Sequence, residues 1–216
     1  MRALSLGVVA LAAMLAGCAS APTSAEAARS APAPEADTSV GGWRATATPE
    51  DRARIRGWYA AWQDALADAR AKGFGAQIAG EGILLEPEAG LPNAHLPPGD
   101  YRCRTVKLGA QRGTLGYVAY GWFTCRVSAE QGIVSLTKTS GSQRPVGLVF
   151  PDTLRRQIFL GTLVLGDETM PVDYGADKQR DMAGIVERIG DARWRLVLPR
   201  PAYESLLDVI ELVPGE

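Results

Sequence analysis

From Gly99 to the C-terminus, apolar and polar residues alternate with a period of two, and glycine-containing turns interrupt the alternation at short intervals. This pattern is typical of β-strands joined by tight connections. The strands are expected at 101–108, 115–127, 132–139, 145–150, 156–166, 182–190, 193–198 and 206–213. Parallel pairing requires crossover helices, and no long helical pattern separates these segments. We therefore expect an antiparallel meander of about eight strands.

A meander of this size can protect its edges by closing on itself. Closure into a barrel removes the unpaired backbone groups of the two edge strands. Residues 99–216 are therefore predicted to form a small lipocalin-like barrel in a mainly β fold. A sandwich of two sheets is the alternative architecture.

One amphipathic helix is predicted ahead of the strands, from Thr48 to Gly73. The segment Thr48-Pro49-Glu50-Asp51 has a good N-cap, a proline suited to the first turn, and two acids that favour the positive end of the helix dipole. Helical spacing then places on one face Ile55, Trp58, Tyr59, Trp62, Leu66 and Ala69. A binding site is one interpretation of this face, but docking on the barrel is favoured because an apolar helix face needs burial. Residues 47–98 are thus expected to be a helix and a loop region packed on the barrel, with a short strand at 83–85.

The N-terminus has the pattern of an exported protein. A basic start and a short apolar run end in Leu15-Ala16-Gly17-Cys18. The run is too short to span a bilayer and has the length of a signal-peptide core. Residues 1–17 resemble a bacterial lipoprotein signal peptide, and this resemblance implies cleavage before Cys18 and lipid attachment to its sulfur. An ordinary secretory signal is the alternative.

Residues 18–46 are predicted to be the lipidated cysteine and a disordered tether. The segment is rich in Ala, Pro, Ser and Thr and has almost no large apolar residue before Val40. It cannot bury enough surface to offset its ordering entropy. Ala19, where an aspartate would resemble an inner-membrane retention signal, favours the outer membrane and a location facing the periplasm.

The charge balance limits the partners. Residues 1–17 contain Arg2 and no other charged residue, so 23 basic residues become 22 in the mature chain, against 24 acidic ones. No basic excess remains for nucleic acid. We expect the partners to be the membrane, through the lipid anchor, and an envelope protein or a small apolar ligand.

Two cysteines remain once Cys18 is acylated. Cys103 and Cys125 lie on adjacent predicted strands, and the compartment outside the cytoplasm is oxidising. A disulfide between them is predicted to contribute about 3 kcal/mol. A redox-active pair is the alternative, but such pairs are normally close in sequence.

Cationic and aromatic residues are the candidate binding groups. Five basic residues lie on or near the first two predicted strands: Arg102, Arg104, Lys107, Arg112 and Arg126. If these five share a face, they form a cationic patch for an anionic partner or a lipid headgroup. The alternative is a solvated outer strand face. An open barrel mouth is expected to be lined by Tyr117, Trp122 or Trp194. The lone histidine, His95, lies in a predicted loop without the spacing of a metal site or a serine relay.

The sequence contains no common nucleophile motif, phosphate loop or metal-ligand spacing. We therefore expect a non-catalytic binding module with neither cofactor nor metal. The alternatives are a structural or assembly lipoprotein of the envelope and, less favoured, a hydrolase that uses carboxylates. Candidate acids for such a hydrolase near predicted turns are Asp167, Glu168 and Asp173.

Four segments carry a family resemblance. They are YRCR at 101–104, DMAGIVERIG at 181–190, RWRLVLP at 193–199 and ESLLDVIELVP at 204–214. Together they resemble a family of alphaproteobacterial envelope lipoproteins that is labelled a domain of unknown function, over residues 43–214. The resemblance implies an envelope location and no particular activity, so it assigns no functional residues.

Overall fold

The computed structural model describes residues 42–215. The predicted signal peptide, Cys18 and residues 18–41 of the predicted tether lie outside this range. The described chain begins with helices α1 Trp43–Thr46, α2 Pro49–Arg56, α3 Trp58–Ala71 and α4 Gly75–Gly80 and a 3₁₀ turn, Gly82–Leu85. Nine strands follow within residues 42–215: β1 Gly99–Leu108, β2 Tyr117–Ala119, β3 Phe123–Glu130, β4 Ile133–Lys138, β5 Gln143–Thr153, β6 Arg156–Leu165, β7 Asp181–Gly190, β8 Arg193–Pro199 and β9 Leu207–Pro214.

The sheet closes on itself. All neighbouring strands pair antiparallel in the order β2-β1-β3-β4-β5-β6-β7-β8-β9, and β9 pairs back onto β1 along its length. Leu212 lies opposite Cys103, and Leu207 lies opposite Leu108. The predicted antiparallel meander and barrel are confirmed, with eight strands in the closed wall and β2 as an extra short strand.

The predicted long strand at 115–127 is wrong, because it is interrupted at 120–122. β3 pairs with the first half of β1, where Phe123 lies opposite Cys103. β2 pairs with the second half of the same edge, where Tyr117 lies opposite Leu108. The two pieces share one edge of β1, and the Tyr120 amide bridges the gap by donating to the Thr105 carbonyl at 2.9 Å.

Alternation along the strands gives the barrel an inside and an outside. One set of strand residues packs against the helices, for example Val106 on β1 and Val209 on β9, so this set faces outward. The alternate set, for example Cys103 on β1 and Leu212 on β9, forms a separate interior cluster. The predicted disulfide between Cys103 and Cys125 is confirmed and lies in this interior, with the two Cα atoms 5.9 Å apart.

The middle of the barrel is filled. Gly147 and Gly161 are register partners on β5 and β6. A Cβ atom added to either would lie 2.8 Å from Cζ of Phe159, so the two glycines make room for this ring. Small backbone positions beside a large aromatic side chain therefore close the lumen at this level.

The helices cover the outer wall. Thr48 caps α2 as predicted, because its side chain accepts from the Asp51 amide. The predicted single helix is instead divided at Gly57, which has φ −89° and ψ 8°. Buried Trp62 and Leu66 of α3 belong to the cluster that includes the outward strand residues, as docking on the barrel requires. Among residues 42–215, no helix has the length and apolar character needed to cross a membrane.

Two short segments differ from expectation. Residues 82–85 form a 3₁₀ turn, and the strand predicted at 83–85 is wrong. The described barrel is already closed, so it offers no free edge there, and Leu84 and Leu85 pack into the outer cluster instead. The end of the predicted tether also belongs to the folded domain. Trp43 is buried, and its Nε1 donates to Oδ1 of Asp152 at 2.8 Å.

Candidate functional site at the mouth of the barrel

The two ends of the barrel differ, and one of them is plugged. Leu96, from the segment before β1, is buried in the interior cluster, and its amide donates to Oε1 of Gln157 at 2.9 Å. Tyr101 and Trp194 meet edge to face above it, with ring centres 6.0 Å apart. Trp194 Nε1 donates to the His95 carbonyl at 3.0 Å, and the Tyr101 hydroxyl donates to the Pro97 carbonyl at 2.7 Å. Buried side chains and the segment before β1 therefore fill the interior at this end.

The opposite end, which we call the mouth, contains two adjoining cavities that share Thr105, Lys107 and Gln143. The smaller cavity is a narrow slot of about 40 Å³ with mostly apolar walls, which include Pro145, Leu163, Met182, Leu198, Tyr203 and Ile210. The side cavity is more polar and holds about 250 Å³, and its walls also include Tyr120, Phe123, Lys138, Ser142 and Glu204. The mouth therefore combines a small apolar slot with a larger polar space.

Lys107 projects inward from the end of β1 and is almost completely buried. Its Nζ lies 2.6 Å from Oε2 of Glu204, 3.0 Å from Oε1 of Gln143 and 3.8 Å from Oδ2 of Asp208. Burial opposes the charge on Lys107, but Asp208 and Glu204 outweigh burial and raise its pKa. Lys107 is thus a paired cation at the floor of the mouth.

Asp208 is the buried acid of this group. Burial raises its pKa to about 6, against the opposing effects of Lys107 and of the Ser205 hydroxyl, which donates to Oδ1 of Asp208. The carboxylate is therefore ionised at neutral pH and takes up a proton in mild acid.

Lys138 is the second buried cation. Its Nζ donates to the Gln143 carbonyl at 2.9 Å and lies 3.8 Å from the ring centre of Phe123. No carboxylate oxygen of residues 42–215 lies within 4.0 Å of Lys138 Nζ, the distance that defines an ion pair. Burial, with the nearby charges of Arg144 and Lys107, lowers the pKa of Lys138 to about 8. Lys138 therefore differs from Lys107 in lacking a counter-charge.

The mouth loop, residues 200–206, covers part of this end. Arg200 and Glu204 have φ values of 47° and 65°, a left-handed conformation that costs non-glycine residues of order 1–3 kcal/mol. Hydrogen bonds hold the loop in place, since the Gln111 amide donates to the Glu204 carbonyl and Gln111 Nε2 donates to the Ser205 carbonyl, each at 2.9 Å. The loop thereby brings the Glu204 carboxylate onto Lys107.

Four of the predicted binding residues meet on the outer wall instead. The Arg102 guanidinium lies 4.7 Å from the ring centre of Trp122, and that of Arg104 lies 5.5 Å from it. Arg104 pairs with Glu81 and Glu211, and the Tyr117 hydroxyl donates to Glu81. None of these four residues lines the two cavities of the mouth.

The remaining candidates are separated from this group. Trp194 lies at the plugged end, so it does not line an open mouth. The five basic residues do not share a face, because Lys107 points into the barrel while Arg102, Arg104 and Arg126 lie at alternate positions facing outward. Arg126 pairs with Asp100, and exposed Arg112 lies between β1 and β2.

The sequence contains a signal for the inward direction of Lys107 and for two mouth residues absent from the predicted candidates, Asp208 and Lys138. Lys107 and Asp208 interrupt runs of apolar residues at strand ends, and Lys138 ends a strand of alternating character. A charged residue at a position that alternation assigns to the interior is uncommon unless it has a partner or a ligand.

Residues 43–212 match the model of the family described as Domain of unknown function (DUF4893). No curated protein matches the chain, and no solved structure matches it. The matched range covers the helices and nearly all of the barrel, and it includes every residue of the mouth named above.

Proposed function

Because the chain belongs to the DUF4893 family, whose description assigns no activity, we propose its function from the mouth: a non-catalytic module that binds a small ligand. The observation that supports this proposal is the pair of cavities inside one open end of a barrel whose other end is plugged. Ligand sites are typically concave and partly apolar, with a few fixed polar groups. Buried Lys107 and Asp208, with partly buried Gln143, are such groups.

The level along the barrel axis at which side chains fill the interior also favours binding. Small eight-stranded barrels are either filled by side chains or hold one small ligand. Here Phe159 fills the middle between Gly147 and Gly161, and the space above it is left open. The filled interior thus closes the barrel beneath the mouth, which is the shape expected of a site for a single small molecule.

The polar groups of the mouth are arranged for binding more than for hydrolysis. A carboxylate pair that performs acid–base chemistry needs access to water and substrate. Asp208 and Glu204 both face Lys107, and the buried Ser205 hydroxyl donates to Asp208. The two carboxylates are thus already paired with the Lys107 ammonium, which favours the binding proposal over the hydrolase alternative.

The proposed setting is the bacterial envelope. We propose that Cys18 carries the lipid that attaches the domain to the outer membrane, facing the periplasm. In the native bacterium, the Cys18→Ala variant should move from the membrane fraction to a soluble or unprocessed form. Retention of a processed variant in the membrane fraction would contradict a lipid anchor at this residue.

A blocked mouth tests the binding proposal. Residues 19–216 contain the whole described domain, and this protein would be incubated with a small-molecule extract of the native bacterium's envelope. Because a ligand stabilises the state that binds it, we expect the extract to raise the thermal midpoint of the wild type. Thr105→Trp fills the space shared by both cavities and should abolish this shift. Leu154→Trp, at an exposed turn position, should retain it.

An equal shift in the wild type and in Thr105→Trp would place binding elsewhere. No shift in any of the three proteins would contradict a small-ligand function. It would then favour the structural or assembly role.

A further inference from the structure

On the basis of the proposed function, we infer that the side cavity receives the anionic group of the ligand, a carboxylate or a phosphate, against Lys138. The inference begins with burial. Lys138 is only 5% exposed, yet among residues 42–215 its ammonium has no carboxylate partner within ion-pair distance. A buried charge without a counter-charge is costly, so such a charge is normally retained where something pairs with it.

The local structure holds this cation at the cavity wall. Lys138 Nζ has one hydrogen-bond acceptor, the Gln143 carbonyl, although an ammonium has three donors. A Cβ atom added to Gly141 would lie 2.8 Å from Nζ and 2.9 Å from the Phe123 ring, so the β4–β5 turn approaches the ammonium closely. The Phe123 ring covers one side of the ammonium at 3.8 Å, and the donor that faces neither this ring nor the Gln143 carbonyl is left for a group that enters the cavity.

The surrounding charges also favour an anion. Lys107 lines the same cavity as Lys138, and Lys107 and Arg144 both act on Lys138 as like charges. Glu204 lines the same cavity, but its carboxylate is already on Lys107 at 2.6 Å. The Ser142 side chain adds a hydroxyl to the wall. An oxyanion would thus supply the negative charge that the buried lysine lacks.

The adjoining slot indicates what else the ligand carries. Leu163, Met182 and Leu198 line the smaller cavity, the apolar slot, next to the side cavity. A short apolar group attached to the anion would fit there, whereas a free oxyanion would leave the slot empty. An experiment can distinguish an anion that carries an apolar group from a free oxyanion by using one probe of each kind.

Isothermal titration of residues 19–216 would use octanoate, its neutral analogue octanol, and inorganic phosphate. We expect octanoate to bind at least about tenfold more tightly than octanol. Lys138→Met should remove this preference, and Lys138→Arg should retain most of it. Lys178→Met changes an exposed lysine outside the mouth and should leave the preference intact. Binding of phosphate with the same dependence on Lys138 would also support the inference and would identify a free oxyanion as sufficient.

The pH provides an independent readout. Octanoate stays ionised between about pH 7 and about pH 9.5, while Lys138 loses its proton over this range, and Lys107 keeps its proton longer because its pKa is raised. The preference for octanoate should therefore weaken at the higher pH in the wild type and in Lys178→Met.

Three results would overturn the inference. Equal binding of octanoate and octanol would leave a small-ligand site but no anion site, so the proposed function would survive. Octanoate or phosphate binding that is unchanged in Lys138→Met would place the anion elsewhere. If no anionic probe binds the wild type while the envelope extract still raises its thermal midpoint, the anion site is also wrong and the binding function stands.

Discussion

Lys107 and Asp208 lie opposite each other in the β1–β9 pair that closes the barrel, with Lys107 Nζ 3.8 Å from Oδ2 of Asp208. Both side chains are almost excluded from solvent. The pairing that completes the fold therefore also places charge at the floor of the mouth. Under the proposed function, one residue pair would therefore affect both the stability of the barrel and the binding of a ligand.

Asp208 should make stability depend on pH. Burial raises its folded pKa to about 6 from 3.8, so between these values the folded protein binds more protons than the unfolded chain. The stabilisation from protonated Asp208 is present below about pH 4 and is lost as pH rises through about 6. The asparagine side chain of the Asp208→Asn variant does not titrate, so this variant does not lose this stabilisation. The free energy of unfolding of Asp208→Asn minus that of the wild type should therefore increase by on the order of 3 kcal/mol as pH rises through this range.

Urea unfolding at about pH 4 and about pH 7 would measure this difference. The matched control is Asp191→Asn, which makes the same change of side chain at an exposed turn. A difference for Asp208→Asn that is constant across the range would contradict the burial of an ionised carboxylate.

Lys138 should destabilise the protein when no ligand is bound. Its pKa falls from 10.5 to about 8 on folding, so its charge costs stability at neutral pH, and the cost disappears as pH rises from about 8 towards 10.5. Lys138→Met should raise the free energy of unfolding by on the order of 1–3 kcal/mol at about pH 7. Urea unfolding is the measurement, and Lys178→Met, on an exposed pair with Glu50, should change it little. A destabilised Lys138→Met protein would mean that the lysine is a structural residue.

The glycine pair beneath the mouth should not tolerate a side chain. A Cβ atom at Gly161 would contact the Phe159 ring and the β5 backbone, so Gly161→Ala should lose about 1–3 kcal/mol through overpacking. Gly121→Ala is the control, because nothing lies within 4 Å of an added Cβ there. Thermal unfolding of the two variants would compare them, and equal midpoints would show that the lumen is not filled at this level.

The interior disulfide should contribute to stability without determining the fold. Cys103 and Cys125 enclose a separation of 22 residues, and the chain-entropy model gives about 3 kcal/mol for such a loop. The double variant Cys103→Ser/Cys125→Ser should lose about this much free energy of unfolding and keep its β circular dichroism signal. The reduced wild type should unfold at a similar urea concentration. A reduced protein as stable as the oxidised one would be the contrary result.

Much of the architecture could be predicted from periodicity and local chemistry. Thr48 begins a helix because its side chain and the following proline suit the first turn. Cys103 and Cys125 could be paired because adjacent antiparallel strands bring them together. The interruption at 120–122 could not be predicted, since apolar residues continue on both faces through it and pairing with β1 decides where the strand breaks.

The mouth was harder to predict than the fold. The sequence groups Lys107 with Arg102 and Arg104 in one cationic patch, because all three basic residues lie on the same predicted strand. The inward direction of Lys107 depends on whether the odd- or the even-numbered residues of β1 face the barrel interior. The pairing of β1 with β9 determines this. Glu204 was harder still, since its contact with Lys107 depends on a left-handed loop conformation that no strand pattern encodes.

Native mass spectrometry tests the central claim most directly. Residues 19–216 would be purified without detergent from the periplasm of the native bacterium, beside the Thr105→Trp variant. The account predicts a reproducible extra mass on the wild type that dissociates on activation, and a bare mass, two hydrogens light for the disulfide, on Thr105→Trp. The same adduct on both proteins, or a bare wild type whose thermal midpoint the envelope extract does not raise, would contradict a ligand site at the mouth.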